Sequence, residues 1–111
     1  MGAKEFLGQF NKDMGKMKSQ AGDMVGAFGN LFAKTMGEGA LSVKHKELIA
    51  LGIAISVQCE PCIMLHVKKC LDAGASKEEM IEVCNVSVLM SGGPAYTHVP
   101  MVMNAIEDLT A

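Results

Sequence analysis

The stretch that decides the fold covers residues 42–74 and has the sequence SVKHKELIALGIAISVQCEPCIMLHVKKCLDAG. Its first half, from about Val43 to Val57, is apolar on nearly every side of a helix. This pattern predicts a helix buried centrally, within a subunit or between subunits. Ser42 can cap its start. Pro61 suits the first turn of a second helix, because its missing N–H would be unsatisfied there anyway, and Gly74 should end that helix.

Helical periodicity continues toward the N-terminus. Large apolar side chains recur there at spacings of three and four residues, which predicts one or two helices. Side chains of this kind are expected in a core or a subunit interface. Glycines weaken the helix and predict either a break near Gly22 or a loosely held N-terminus. The apolar stripe consists of Phe6, Phe10, Met14, Met17, Ala21, Met24, Phe28 and Leu31.

The C-terminal third is also helical in pattern. Ser76 and Glu79 have capping-box spacing at the start of a helix. The segment 91–94 (SGGP) should interrupt that helix, and a last helix is predicted from about Ala95 to Leu109. The sequence therefore predicts an all-α bundle of five or six helices with short connections.

The composition indicates an oligomer. A chain of 111 residues fits one domain, 1–111. It is 50% hydrophobic and 20% charged, which is apolar for a small monomer and predicts that copies of the same chain cover part of the surface. The net charge of -2 gives no support for nucleic-acid binding.

The expected location is the cytoplasm, without membrane association. The most apolar stretch, Leu48 to Val57, is ten residues long, about half of the ~20 that a spanning helix needs. The first ten residues carry charges at Lys4 and Glu5 and lack the apolar core of a signal peptide. In a reducing compartment, a close cysteine pair indicates catalysis or metal binding before a structural disulfide.

Most of the chemistry lies in residues 59–66, CEPCIMLH. Two thiols separated by two residues can close a small disulfide ring at a helix start, where free N–H groups and the helix dipole favour thiolate. His66 lies four residues after Cys62, so both project from one helix face and can exchange a proton. Two cysteines and a base are what thiol–disulfide exchange requires, so Cys59, Cys62 and His66 predict a redox-active dithiol site.

Other interpretations of these residues remain open. Eleven residues separate Cys59 from Cys70, or ~16 Å of helix, too far for one zinc ion to bind Cys59, Cys62, His66 and Cys70 together. A three-ligand zinc site without Cys70 remains an alternative, as do two buried cysteines near a core histidine. Ile63 stands where a c-type haem would need histidine. Cys70 and Cys84 lie in apolar-periodic helix and are predicted as core residues, although an auxiliary redox role of Cys70 stays open.

These motifs resemble the carboxymuconolactone decarboxylase and alkylhydroperoxidase D (AhpD)-like family. The similarity covers residues 36–108, including EGALS at 38–42, KELIAL at 46–51 and DAGASKEE at 72–79, and leaves 1–35 as a helical N-terminal extension. Its most specific part is Glu47, twelve residues before Cys59, combined with the Cys-x-x-Cys-x-x-x-His segment.

The resemblance implies an all-helical fold that assembles as a trimer or hexamer. It implies that Cys59 and Cys62 cycle between dithiol and disulfide while reducing a peroxide or a protein disulfide, with electrons from an unidentified thiol reductant. His66 would carry protons and Glu47 would polarise it or relay protons to it. No cofactor or metal is expected.

The position of Glu47 is less well supported by helix geometry. A simple hairpin pivoting near residue 58 puts Glu47 about 6 Å further from the turn than His66, so a steep helix crossing or a bridging water would be needed. Alternatively, Glu47 is an exposed first-turn residue favoured by the helix dipole.

A thiol-dependent oxidoreductase with peroxidase activity is the leading hypothesis. Decarboxylase members of the family lack the CxxC pair, but a lyase with His66 as acid or base is one alternative. A non-catalytic oligomeric or metal-binding module is the other.

Overall fold

The computed structural model describes residues 2–111, and within that range the chain forms helices and connections without any strand. The helices are α1 (Ala3–Gln20), α2 (Gly22–Met36), α3 (Val43–Ser56), α4 (Glu60–Asp72), α5 (Lys77–Ser91), α6 (Gly93–Tyr96) and α7 (Val99–Thr110). Helix α6 is a single turn of 4 residues. The predicted all-α bundle is confirmed. Over residues 2–111, every helix is too short or too polar to cross a bilayer.

The predicted helix starts around the decisive stretch are confirmed. Ser42 caps α3, and its hydroxyl accepts the backbone N–H of His45 at 3.1 Å. Pro61 lies in the first turn of α4. After α4, Gly74 takes a φ of +87°, a left-handed conformation that glycine adopts without steric penalty.

Helix α5 begins with the predicted capping box. The Ser76 hydroxyl accepts the Glu79 N–H at 3.1 Å, and the Glu79 carboxylate accepts the Ser76 N–H at 2.8 Å. The Lys44 ammonium lies 3.0 Å from the same carboxylate and connects α3 to α5. Two interactions lower the pKa of Glu79 below its ordinary value. The hydrogen bond from the Ser76 N–H has the larger effect, and the hydrogen bond from Lys44 has the smaller one.

The N-terminal part of the chain agrees with prediction and the C-terminal part differs from it. The predicted break near Gly22 is confirmed, because α1 ends at Gln20 and α2 begins at Gly22. The predicted last helix from Ala95 to Leu109 is wrong, because the chain forms α6 and then restarts as α7 at Val99. Pro100 explains the restart: a continuous helix would need a Pro100 N–H for the carbonyl of Tyr96, and proline has none.

The core lies among α3, α4, α5 and α7, with α1 covering one side. Its largest fully buried side chains are Leu51, Ile55, Ile63, Val67, Met80, Val102, Cys70 and Cys84. Cys70 and Cys84 are therefore core residues, as predicted. Helix α3 is buried on one side only, because Ile49 and Ile53 are 49% and 58% exposed. No residue of α2 is fully buried.

Candidate functional site

Cys59 and Cys62 lie at the start of α4 and are joined by a disulfide. Cys59 is the N-cap residue, and its Sγ accepts the backbone N–H of Cys62 at 3.3 Å. The two Cα atoms are 5.2 Å apart, a distance that a disulfide spans. Both residues are half-buried, so each keeps some contact with solvent.

The connection between α3 and α4 fixes the position of this pair. Gln58 has a φ of +59°, which reverses the chain direction just after α3. The Cys59 N–H then donates to the carbonyl of Ala54 at 3.1 Å. Because Ala54 belongs to the buried face of α3, the cysteine pair is held against the core by a backbone hydrogen bond.

Glu47 of α3 pairs directly with His66 of α4. The Glu47 Oε1 and His66 Nδ1 atoms are 2.7 Å apart, and the two side chains are 5% and 13% exposed. The direct contact requires no bridging water. The alternative that Glu47 is an exposed first-turn residue is wrong, since the helices meet so that its carboxyl points into the protein.

The pair gives His66 a defined orientation. In the tautomer with its proton on Nδ1, His66 donates to the Glu47 carboxyl oxygen, and Nε2 is the nitrogen that remains to exchange protons. His66 lies one helical turn after Cys62, about 6 Å along the axis of α4. The structure therefore shows two pairs, Glu47 with His66 between α3 and α4, and Cys59 with Cys62 at the start of the same α4.

Phe32 of α2 is a neighbour of this region that the sequence analysis missed. Its ring stacks on the His66 imidazole, with centroids 6.2 Å apart and planes at 18°. The Lys69 ammonium lies 5.0 Å from the centroid of the same phenylalanine ring. The predicted apolar stripe instead contained Phe28 and Leu31, which are both 61% exposed. Only the docking of α2 on α4 distinguishes Phe32 from its neighbours.

Cys70 and Cys84 differ from the half-buried pair Cys59 and Cys62, because both are fully buried. Burial raises the pKa of the Cys70 thiol to about 12, with a further contribution from the negative charge of Glu47. Burial also raises the pKa of Cys84 to about 11. Both remain protonated thiols near neutral pH and are poor nucleophiles, because the thiolate is the reactive form.

The described part of the chain has no cluster of side chains suited to binding a metal ion. Among residues 2–111, no three His, Cys, Asp or Glu side chains are arranged to hold an ion. The alternative zinc site at Cys59, Cys62 and His66 therefore has no geometric support. Instead, His66 directs Nδ1 toward Glu47 and the two sulfurs are bonded to each other.

The chain belongs to the carboxymuconolactone decarboxylase family, whose sequence profile matches residues 22–103. The resemblance found in the sequence is thereby confirmed. The match begins inside the segment 1–35, and the division into an extension and a core remains a prediction. An uncharacterised protein encoded in the cox locus of Paracoccus denitrificans is 34% identical over 82% of this chain and 83% of its own length.

Two solved structures are similar to the whole chain. A carboxymuconolactone decarboxylase family protein of Legionella pneumophila is 27% identical, with a TM-score of 0.94 over 98% of this chain and 97% of that one. A family protein of Thermotoga maritima, for which involvement in the antioxidative response has been suggested, is 26% identical, with a TM-score of 0.83 over 92% and 87% of the two chains.

Proposed function

We propose that the protein is a thiol-dependent oxidoreductase that reduces peroxides with Cys59 and Cys62. The observation that carries the proposal is the half-buried cysteine pair at the start of α4, one turn from a histidine that is paired with a buried glutamate. The antioxidative role suggested for the Thermotoga maritima relative is consistent with this chemistry. We expect the protein to act in the cytoplasm, where thiol reductants are available.

The proposed reaction consumes two thiols for each peroxide. One cysteine thiolate attacks a peroxide oxygen, the O–O bond breaks, and the sulfur becomes a sulfenic acid while the departing oxygen takes up a proton and leaves as an alcohol. The second thiol then attacks this sulfur, the disulfide forms and water leaves. A separate thiol reductant restores both thiols by exchange. A protein disulfide is the alternative electron acceptor at the same pair.

His66 and Glu47 would manage the protons of this reaction. The attacking thiol must lose a proton, and the departing oxygen must gain one. His66 can perform both proton transfers through Nε2. Glu47 holds Nδ1 and stabilises the imidazolium that exists after the first transfer and before the second. Cys59 is favoured as the attacking residue by its sulfur at the helix N-terminus, and Cys62 by its spacing from His66.

A peroxide-reduction assay with a dithiol reductant tests the proposal. We expect activity in the wild type, loss of turnover in Cys59→Ser and Cys62→Ser, and retention in Cys84→Ala, which removes a buried thiol away from the pair. The single variants also identify the attacking cysteine. The serine variant that still has the attacking cysteine should consume one peroxide per chain and accumulate a sulfenic acid, which dimedone traps. Equal activity in the wild type and both serine variants would contradict the proposal.

We also propose that the protein is a homo-oligomer, a trimer or hexamer. The support is a row of apolar side chains on α3 and α5 that the single chain leaves exposed. Ile49, Ile53, Val86 and Met90 are among them, and they line an open cleft of about 510 Å³. A second copy of the chain, rather than a small ligand, is the proposed occupant, because the apolar surface continues beyond the cleft to Leu89, which is 82% exposed.

A further inference from the structure

Phe32 contacts the proposed proton carrier although it belongs to a helix outside the core. Its ring faces the His66 imidazole at a centroid distance of 6.2 Å and an angle of 18°. This is an offset-stacked arrangement, within the range that aromatic pairs prefer. Phe32 thus lies beside the His66 ring with a lateral offset, while Glu47 holds its Nδ1 edge at 2.7 Å.

Lys69 fixes Phe32 from the same helix that carries His66. The two residues are three positions apart on α4, so they project from one face of it. The Lys69 ammonium lies 5.0 Å from the Phe32 ring centroid, which is within cation–π range. Phe32 therefore contacts both side chains, and α4 holds it at two points.

Phe32 is the side chain of α2 that lies next to His66. None of the residues of this helix is fully buried; Met24, Phe28 and Leu31 are 51%, 61% and 61% exposed, whereas Val25 and Met36 are half-buried. Phe32 is half-buried. The C-terminal end of α2 is held separately, because the Lys46 ammonium of α3 donates to the carbonyls of Thr35 at 2.8 Å and Gly37 at 2.6 Å.

We propose that Phe32 is a positioning residue, whose ring holds the His66 imidazole in the orientation that donates Nδ1–H to Glu47 and leaves Nε2 free. Two side-chain dihedral angles orient a histidine ring. A hydrogen bond at one nitrogen fixes that nitrogen, but the ring can still tilt about the hydrogen bond. A ring packed beside the imidazole restricts this tilt. The catalytic meaning of this role rests on the proposed peroxide reduction.

Two measurements test this role in the reduced protein. The first is the exchange rate of the His66 Nδ1–H proton with water, measured by ring ¹⁵N NMR and assigned by its absence in His66→Gln. We expect Phe32→Ala and Phe32→Leu to accelerate exchange about threefold to tenfold, comparable to the contribution of one aromatic pair. The second is peroxide reduction, in which kcat should fall about tenfold, part of the ~10²–10⁴-fold that acid–base catalysis supplies, with KM nearly unchanged.

Matched variants separate positioning from folding. Phe32→Tyr keeps the ring and should restore both values, and Phe28→Ala removes a phenylalanine one turn away on the same helix and should change neither. Lys69→Arg should behave like the wild type, since arginine also binds aromatic faces. Phe32→Leu keeps apolar bulk, so a folded protein is available even where Phe32→Ala fails to fold.

Phe32→Leu with the wild-type exchange rate and kcat would overturn the inference and leave the proposed function intact. A wild type without peroxide reduction would refute the proposed function, and the exchange measurement alone would then decide whether Phe32 holds the ring.

Discussion

Glu47 and His66 form a pair in which each side chain depends on the other. Glu47 is 4% exposed overall, and a buried carboxyl without a hydrogen-bond partner is strongly unfavourable. Cys59, Cys62 and His66 all lie in the first two turns of α4 or at its N-cap. Their spacing along one helix is visible in the sequence, which is why they could be predicted together. The direct contact of Glu47 depends on how α3 and α4 meet, and helix periodicity does not contain that information. The same holds for Phe32.

Replacing Glu47 tests its contribution to proton transfer. Glu47→Gln keeps an oxygen that can accept from Nδ1–H but removes the charge that stabilises an imidazolium. We expect peroxide reduction to fall about 10²-fold, at the lower end of the acid–base contribution, with the fold retained. Glu82→Gln, on the exposed side of α5, is the control. Wild-type rates in Glu47→Gln across the pH range would exclude a proton-transfer role for Glu47.

At the level of helices, the sequence predicted a helix start correctly where a side chain forms its hydrogen bonds with residues close to it in the chain. Ser42 and the Ser76–Glu79 box mark the starts of α3 and α5 because each forms its hydrogen bonds within three residues. The interruption between α6 and α7 was harder to predict. Ala95 to Leu109 is apolar enough for one helix, and Pro100 decides where the second one begins.

The start of α5 should be measurably sensitive to loss of its cap. Ser76→Ala removes the acceptor for the Glu79 N–H, and we expect the free energy of unfolding to fall by about 1 kcal/mol. Urea denaturation monitored by circular dichroism measures this change. Ser91→Ala, an exposed serine at the other end of α5, should have little effect. An equal loss in both variants would contradict a specific capping role.

For the molecule as a whole, the composition predicted more apolar surface than one copy can bury. The exposed residues on α3 and α5 agree with that expectation. The sequence indicated an apolar α3 on every side, but only the packing of α4 and α5 against it determines which side remains exposed. Ile53, on the exposed side, is 58% accessible, whereas Ile55 two residues later is fully buried.

A charge on the exposed side of α3 should prevent assembly. Ile53→Asp would place a carboxylate in an apolar contact, where it has no partner. We expect light scattering after size exclusion to show a trimer or hexamer for the wild type and smaller species for the variant. Lys12→Asp, exposed on α1, should assemble normally. A wild-type mass equal to one chain at micromolar concentration would refute the proposed oligomer.

The central claim is that Cys59 and Cys62 convert between dithiol and disulfide as a peroxide is reduced. The most direct measurement is a stoichiometric titration of the fully reduced wild type with peroxide, followed by thiol counting and peptide mass spectrometry. Two thiols should disappear per chain for each peroxide consumed, with the new disulfide at Cys59–Cys62. Cys70 and Cys84, whose pKa values are raised by burial, should remain free thiols. Peroxide consumption without loss of these two thiols, or no consumption at all, would contradict the account.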